Sequence, residues 1–248
     1  MDPLELSSVT VSYGADAVLD RIDLAIPPGE RVALVGPNGS GKTTVLRTLA
    51  GIIEAQSGAV RPAEGLTRPE IARRIAFLPQ EEHWEFGFSV EEVVRCGRFA
   101  FATTVFGESG EDRAAVDEAL GAVGLSELRE RPITELSGGE RRRAVLARVL
   151  AQKAPVLLLD EPTTALDLEH RQAVLRALAA LSGTVVFATH DLDAAAAYAE
   201  RIIVLDRGRV AADGAPHDVI TEQLLSDVFH VRAQVLVQNG KIHVVAEI

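Results

Sequence analysis

Hydrophobic and polar residues alternate with different periods along the chain, and these periods predict its elements. Near the N-terminus, "LELSSVTVSY" and "RIDLAI" alternate apolar with polar residues, as strands with one buried face do. "RVALV", residues 31–35, is a continuous apolar run, which is typical of a strand buried on both faces. The first part of the chain is therefore predicted to form short strands joined by turns.

The middle of the chain changes to a helical period. From Pro69 to about Arg131 the pattern is mostly helical, and "SVEEVVRCGRF" and "DRAAVDEALGAVGL" are its most regular segments. Strand and helix patterns then alternate in "PVLLLDEP", "EHRQAVLRALAALSG", "TVVFATH", "DAAAAYAE" and "RIIVLDRGRVAADG". We predict an α/β fold with a mostly parallel core sheet, an antiparallel N-terminal β subdomain and a helical subdomain inserted at about residues 82–150.

The last predicted element is a β-hairpin. In "AQVLVQNGKIHVVAEI", Asn239 and Gly240 lie between alternating apolar residues, which is a strong hairpin signal. The predicted organisation is a main domain over residues 2–231 and a hairpin extension over residues 232–248.

A glycine-rich loop follows the apolar run that ends at Val35. "GPNGSGKTT", residues 36–44, matches the phosphate-loop pattern G-x-x-x-x-G-K-[ST] and continues into a helical pattern ended by Gly51. Backbone N–H groups in such a loop converge on phosphates, Lys42 adds a positive charge, and Thr43 offers a hydroxyl ligand for Mg²⁺. The predicted nucleotide-binding residues are Gly36, Asn38, Gly39, Ser40, Gly41, Lys42, Thr43 and Thr44.

Two carboxylates end the apolar run "VLLLDE", residues 156–161. A strand of this kind is buried on both faces, and open parallel sheets place their sites at its C-terminal end. We predict that Asp160 holds Mg²⁺ and that Glu161 accepts a proton from water attacking the γ-phosphate. Gln80 in "AFLPQ" and His190 in "TVVFATH" also follow apolar runs, although each alone is ordinary polarity at a strand end.

The stretch "ELSGGERRRAVLARVLAQ" connects these separate signals. A serine and two glycines that open a helix offer a hydroxyl and bare N–H groups to an anion. "LSGGE", residues 136–140, resembles the signature of the ATP-binding cassette (ABC) ATPase family, and the phosphate loop, Gln80, "VLLLDE", "ALD" and His190 occur with it. The resemblance covers most of the chain. Glu140 replaces the commoner glutamine of the signature, a variation similar to many importer sequences.

The resemblance implies roles residue by residue. Gln80 is expected to contact Mg²⁺ and the attacking water, and His190 the γ-phosphate, so both join Glu161 as predicted catalytic residues. Thr43, Gln80 and Asp160 are the expected Mg²⁺ ligands. Tyr13 is expected to stack on adenine, the alternative being a tyrosine packed on the core. The residues expected to act across a dimer are Ser137, Gly138, Gly139 and Asp167.

Partners and location also follow from the resemblance. ABC ATPases work as head-to-tail pairs, so the expected partner is a second copy of this chain, with ATP held between the phosphate loop of one copy and the signature of the other. Separate transmembrane permease subunits, and indirectly a solute-binding protein, would complete the system at the cytoplasmic face of the cell membrane. ATP and Mg²⁺ are the expected cofactors, and no nucleic-acid partner is expected.

A further pattern concerns the cargo. Within residues 78–101, Val93, Val94, Gly97 and Arg98 match a V-x-x-G-R pattern that resembles importers of iron-siderophore, haem or cobalamin complexes. The alternative is an amphipathic helix whose glycine and arginine only pack and cap the subdomain. Importers of zinc or manganese have a similar motif pattern and are the second interpretation of the cargo.

Composition limits the partners further. A chain of 248 residues with 47% hydrophobic residues is long enough for a substantial core. Its net charge of −11 argues against a general nucleic-acid binder and against docking onto anionic lipid by charge alone. One cysteine, Cys96, excludes an internal disulfide, and neither a signal peptide nor a membrane span is indicated. We expect a soluble protein of a reducing cytoplasm.

Other nucleotide-dependent classes fit the sequence less well. A regulatory GTPase needs an N-K-x-D base-reading motif, which the sequence lacks. A chromosome or repair ATPase of the same superfamily carries a long coiled coil, whereas the segment between Gln80 and the signature is short and lacks sustained heptads. Translation-associated members usually carry two cassettes, and exporters often fuse membrane helices to theirs. An importer ATPase therefore leads, and a stand-alone exporter ATPase stays open.

Overall fold

The computed structural model describes residues 3–14, 16–62, 65–82, 84–101 and 109–246. Its strands are β1 (Leu4–Tyr13), β2 (Asp16–Ile26), β3 (Arg31–Val35), β4 (Ser57–Arg61), β5 (Ile75–Leu78), β6 (Val156–Asp160), β7 (Thr184–Ala188), β8 (Arg201–Asp206), β9 (Arg209–Gly214), β10 (Ala233–Gln238) and β11 (Lys241–Ala246). Its α-helices are α1 (Lys42–Leu49), α2 (Arg68–Arg74), α3 (Val90–Arg95), α4 (Gly110–Ala122), α5 (Gly138–Ala151), α6 (Leu168–Ala179), α7 (Leu192–Tyr198), α8 (Pro216–Val219) and α9 (Glu222–Phe229). Short 3₁₀ turns cover Cys96–Phe101, Ser126–Leu128 and Ile133–Glu135.

The chain divides into two compact units, Met1–Leu66 with Thr184–Ile248, and Thr67–Gly183. In the first unit, β3 lies between β7 and β8 and is parallel to both, while β9 adds an antiparallel edge beside β8. A separate antiparallel sheet has the order β2-β1-β4. The predicted α/β class, with a mostly parallel core and an antiparallel N-terminal subdomain, is confirmed.

Two neighbouring bulges keep one face of the N-terminal sheet apolar. Leu6 and Val9 of β1 are both buried although they are three residues apart, because the register shifts between them and Ser8 adopts a φ of 50°. On β2, Arg21 also has a φ of 50°. An extra residue at a bulge changes the phase of side-chain alternation. The doubled serine in "LELSSVTV" therefore marks the bulge rather than the end of the strand.

The predicted C-terminal hairpin is present as β10 and β11, paired from Ala233 opposite Ala246 to Gln238 opposite Lys241. Its turn residues Asn239 and Gly240 have φ angles of 53° and 73°, the left-handed values that a two-residue hairpin turn requires. The backbone N–H of Val244 donates to Asp193 of α7 at 2.9 Å. Residues 247–248, which the prediction included, lie outside the described residues.

The second unit combines a parallel strand pair, β5 and β6, with a cluster of three packed helices, α3, α4 and α5. Each of these helices begins at a serine that forms a capping box with an acidic residue in the first turn. The pairs are Ser89 with Glu92, Ser109 with Asp112, and Ser137 with Glu140. Within the described ranges, no helix is both long enough and apolar enough to cross a bilayer.

The V-x-x-G-R segment packs and caps this helical cluster. Val93 and Val94 are buried in α3, and Gly97 lies against the backbone of α5. The guanidinium of Arg98 donates to Asp112 at 2.7 Å and to the carbonyl of Ala151, at the end of α5, at 3.0 Å. Gly97 and Arg98 therefore have a structural role in the helical cluster.

We expect Gly97→Ala to destabilise the protein by about 3 kcal/mol, because core overpacking against backbone is costly. A Cβ at this position would lie 2.1 Å from the carbonyl oxygen of Arg148. The matched control is Gly121→Ala in α4, where a Cβ would meet nothing within 4 Å, and alanine should add about 1 kcal/mol of helix stability. Urea unfolding of both variants measures this, and equal stabilities would contradict the close packing of the 3₁₀ turn Cys96–Phe101 on α5.

Candidate functional site

The phosphate loop in the first unit joins β3 to α1, and glycine is required at both of its ends. Gly36 has a φ of 148°, and a Cβ there would lie 2.1 Å from the carbonyl oxygen of Leu205. Gly41 has a φ of 106°, and a Cβ there would lie 2.7 Å from the side chain of Leu19. Side chains at either position would displace the loop, so the backbone conformation explains these two glycines of the motif.

The loop contains a polar atom that suits a phosphate ligand. The hydroxyl of Ser40 is buried and has no hydrogen-bond partner among the described residues. The carbonyl of Ser40 is held by the backbone N–H of Gly208 at 3.1 Å, in the turn between β8 and β9. A buried hydroxyl without a partner is costly, and an anion would satisfy it. Asn38 and Gly39 lie exposed at the tip of the loop.

Lys42 and the threonines that follow it begin α1. The ammonium of Lys42 donates to the carbonyls of Gly36 and Pro37 at 2.7 and 3.0 Å, so its charge lies over the loop. Thr43 is half-buried, whereas Thr44 is 6% exposed and so less accessible to a ligand. An ammonium beside the backbone N–H groups at a helix start gives the loop the charge that phosphate binding requires.

His190 and Tyr13 are the other predicted site residues of the first unit. Leu34 pairs with Ala188 where β3 and β7 run parallel, and the N–H of Thr189, directly after β7, donates to the Leu34 carbonyl at 3.1 Å. His190 therefore leaves the sheet at the same edge as the phosphate loop. Tyr13 ends β1 with 52% of its surface exposed, which contradicts the alternative in which it packs on the core.

The second unit brings Gln80 and the two carboxylates to one edge. β5 and β6 are parallel, and their register ends with Leu78 opposite Leu159. Gln80 lies two residues after Leu78 and is exposed, whereas Asp160 directly follows Leu159 and is buried at 1% exposure. Glu161 is 9% exposed, and its carboxylate accepts a hydrogen bond from the Thr164 hydroxyl at 3.2 Å.

The signature segment forms the N-terminus of α5. The Ser137 hydroxyl accepts from the N–H of Glu140, whose carboxylate accepts from the Ser137 N–H at 2.8 Å. This backbone hydrogen bond lowers the pKa of Glu140, so the carboxylate of the capping box stays charged. Ser137 and Gly138 are exposed, while a Cβ on Gly139 would lie 3.2 Å from the carbonyl oxygen of Ala165.

Asp167 caps the next helix, α6. Its carboxylate accepts from the backbone N–H of His170 at 2.9 Å and lies 2.7 Å from the ring Nδ1 of the same residue. The His170 backbone N–H, followed by the ring, lowers the pKa of Asp167. The residue is exposed, so it remains available at the surface of the second unit.

A profile described as "ABC transporter" matches residues 19–164, a range that includes the phosphate loop, the signature and both carboxylates. This chain belongs to the ABC transporter family. The prediction made from the signature motif is therefore confirmed.

Individual ABC proteins are similar over almost the whole chain. The hemin import ATP-binding protein HmuV of Streptomyces coelicolor is 48% identical over 88% of this chain and 80% of its own. The structure of a protein described as a metal-chelate type ABC transporter, in an inward-facing conformation, has a TM-score of 0.84 and 29% identity, and the match covers 100% of this chain and 98% of the other. A dimeric structure of a bacterial ABC transporter cassette has a TM-score of 0.77 and 30% identity over 86% of this chain and 98% of its own.

Two residues of this ABC protein escaped the sequence-based predictions. Gly208 fixes the phosphate loop from a turn far along the chain. Arg142 of α5 donates to the backbone carbonyls of Gln80 and Glu161. Both lie in stretches that the sequence predictions used, but no role was assigned to either. The sequence shows three consecutive arginines after the signature, residues 141–143, but only the structure shows which of them contacts the site residues.

Proposed function

We propose that this ABC protein is the ATP-binding and ATP-hydrolysing subunit of an importer that moves a metal chelate, such as haem, a ferric siderophore or cobalamin, through separate membrane subunits. The similarity to a hemin import ATP-binding protein, at 48% identity over 88% of the chain, carries this proposal. The full-length match to a metal-chelate type ABC transporter supports the cargo class.

The phosphate loop would bind the nucleotide, and the carboxylates would hold Mg²⁺ and activate water. Lys42 binds phosphate oxygens, and the hydroxyl of Thr43, the amide of Gln80 and the carboxylate of Asp160 offer Mg²⁺ the oxygen ligands it prefers. When bound, ATP would supply the γ-phosphoryl group, and Mg²⁺ would neutralise charge on its phosphate oxygens. Glu161 accepts a proton from the attacking water.

His190 and Tyr13 would complete the contacts of the first unit. His190 lies at the strand edge beside the phosphate loop, where a donor nitrogen stabilises charge on the γ-phosphate. The exposed ring of Tyr13 offers a flat face to adenine.

A second copy of the chain would complete each nucleotide site. The dimeric cassette to which this chain is similar supports such a pairing. Ser137 and Gly138 are exposed at the start of α5, where N–H groups and the helix dipole favour an anion. In this arrangement Ser137, Gly138 and Gly139 contact the γ-phosphate held by the partner, and Asp167 lies at the interface.

The remaining parts of the proposal concern organisation. Residues 2–231 form the ATPase domain, with a helical subdomain at about 82–150, and residues 232–248 are an extension. The protein works at the cytoplasmic face of the membrane, bound to permease subunits, and a solute-binding protein delivers cargo to those subunits. The exposed aromatic rings of Phe86 and Phe88 are suited to a protein partner.

Cellular uptake of labelled cargo tests this function. Source cells lacking the native gene would receive the native chain or the Glu161→Gln variant, and uptake of haem, ferric siderophores, cobalamin, zinc and manganese would be measured. We expect the native chain to restore uptake of one chelate and the variant to restore none. Restored uptake of zinc or manganese alone would assign the second cargo class, and no effect on any uptake would contradict an import function.

A further inference from the structure

Arg142 joins two segments that lead into the catalytic groups. It lies in the second turn of α5, and its Nη1 donates to the carbonyls of Pro79 and Gln80 at 2.6 and 3.0 Å. Its Nη2 donates to the carbonyl of Glu161 at 2.7 Å and also to that of Asp160. One guanidinium therefore binds four main-chain oxygens in two segments that are distant in sequence.

These contacts begin where the strand pairing ends. The β5–β6 register stops at Leu78 opposite Leu159, so the residues that follow have no further ladder partners on each other. The planar guanidinium of Arg142 bridges the two segments at this point, with Nη1 on the segment after β5 and Nη2 on the segment after the β5–β6 pairing in β6. A guanidinium presents its N–H groups in a fixed geometry, which an ammonium does not.

The backbone of Glu161 is one of the points held. Glu161 has a φ of 50°, a left-handed conformation that is unfavourable for a residue with a side chain. Such conformations persist only where surrounding contacts fix them. The Glu161 carbonyl accepts both from Arg142 and from the N–H of Thr164, at 3.2 Å. Arg142 thus contributes to fixing the direction in which the Glu161 carboxylate points.

Charge does not by itself account for this arrangement. Within the described residues, all four hydrogen-bond acceptors of Arg142 are main-chain carbonyls rather than carboxylates. Burial lowers the pKa of the guanidinium, and the nearby charges of Asp160, Glu82 and Glu161 act in the opposite direction. The planar guanidinium donates directional hydrogen bonds to these carbonyls. The geometry of the Arg142 side chain therefore matters more for this contact than its charge.

We propose that Arg142 is a positioning residue for ATP hydrolysis: it holds the backbone of Gln80, Asp160 and Glu161 in a fixed relation to the signature helix α5. This inference rests on the proposed ATPase function. A movement of α5 would then shift the water-activating and Mg²⁺-binding groups together. Arg148, further along α5, binds Glu82 and supports the same segment from its other end.

The test compares Arg142→Lys and Arg142→Gln with the native chain. Lysine keeps the charge and loses the fork, whereas glutamine loses the charge and retains one amide donor group. Hydrolysis rates, ATP affinity and thermal unfolding would be measured for each. We expect kcat to fall about tenfold or more in both variants, since small misplacements of catalytic groups are costly, while the Kd for ATP stays within about threefold.

A spectroscopic measurement separates positioning from stability. Trp84 is the single tryptophan of the chain, and it lines the same groove of about 410 Å³ as Gln80 and Arg142. We expect acrylamide quenching of Trp84 fluorescence to change in both Arg142 variants at temperatures well below unfolding. The matched control is Arg176→Lys in α6, whose exposed side chain contacts one carbonyl, that of Gln172 at 3.3 Å, and this variant should behave as native.

Each outcome bears on the proposal. Native kcat in Arg142→Lys, beside an active native chain, would overturn the positioning role alone, because charge would suffice. A parallel loss of ATP binding or of cooperative unfolding would also overturn it, because the arginine would then serve general folding. If the native chain does not hydrolyse ATP with Mg²⁺ present, the proposed function fails and the positioning role fails with it.

Discussion

The Glu161→Gln variant is expected to bind ATP with a Kd within about threefold of native while its kcat falls roughly 10³-fold, the range for losing a general base. The amide has nearly the same shape as the carboxylate, and its oxygen still accepts from the Thr164 hydroxyl, now at 3.2 Å from Oε2. The Glu161 carbonyl keeps its contact with Arg142. Only the capacity to take a proton from water is lost. Nucleotide titration and steady-state ATPase assays measure the two quantities.

Glu169→Gln is the matched control for this substitution. Glu169 is an exposed carboxylate in the first turn of α6, so its replacement removes the same charge without touching the site. The kcat of the Glu169→Gln variant should equal that of the native chain. A native rate in Glu161→Gln would remove Glu161 from the role of base, and loss of ATP binding there would show that the side chain acts on nucleotide affinity instead.

Replacement of Lys42 by alanine is expected to weaken ATP binding about 100-fold, or roughly 3 kcal/mol, because hydrogen bonds to charged groups are among the strongest that proteins make. The Lys42 ammonium lies over the phosphate loop, on the carbonyls of Gly36 and Pro37. These contacts hold the ammonium at the loop, where it can bind a phosphate oxygen. Isothermal titration with ATP and with ADP provides the measurement.

Lys241→Ala provides the control, since Lys241 is exposed in β11. It removes the same charge from the same unit and should leave the affinity unchanged. Thermal unfolding of both variants should differ little from native, because the loop is also held by Gly208. Unchanged affinity in Lys42→Ala would contradict nucleotide binding at this loop.

Local patterns predicted most of the elements of the second half. "TVVFATH" and "VLLLDE" correspond to β7 and β6, and Asn239-Gly240 marks the hairpin turn. β4 and α9 were not anticipated. β4 has no strong alternation, and its strand forms because β1 offers it an unpaired edge, with Leu6 opposite Val60.

Motifs predicted the candidate site residues but not the residues that hold them in place. The phosphate loop is a local motif. The spacing of its glycines already indicates a backbone conformation that other residues rarely adopt, and the positive φ angles of these glycines agree with it. The V-x-x-G-R pattern predicted the resemblance to metal-chelate importers, which the similarity to a metal-chelate type ABC transporter bears out. It did not predict that Gly97 and Arg98 make packing and capping contacts with α5. A glycine at a close approach and a glycine at a binding surface look alike in sequence, since only the neighbouring backbone distinguishes them.

By itself, the sequence determined the family and predicted the nucleotide-binding and catalytic residues that we propose, because a phosphate loop, a buried strand ending in carboxylates and a capped helix start each depend on neighbours in the chain. Tertiary structure alone decided which residues hold these groups in place. Arg142 binds carbonyls beyond the ends of β5 and β6, and Gly208 binds the loop after β3. Every residue has a main-chain carbonyl that can accept a hydrogen bond. The sequence therefore shows a donor such as arginine, but not which carbonyl it binds.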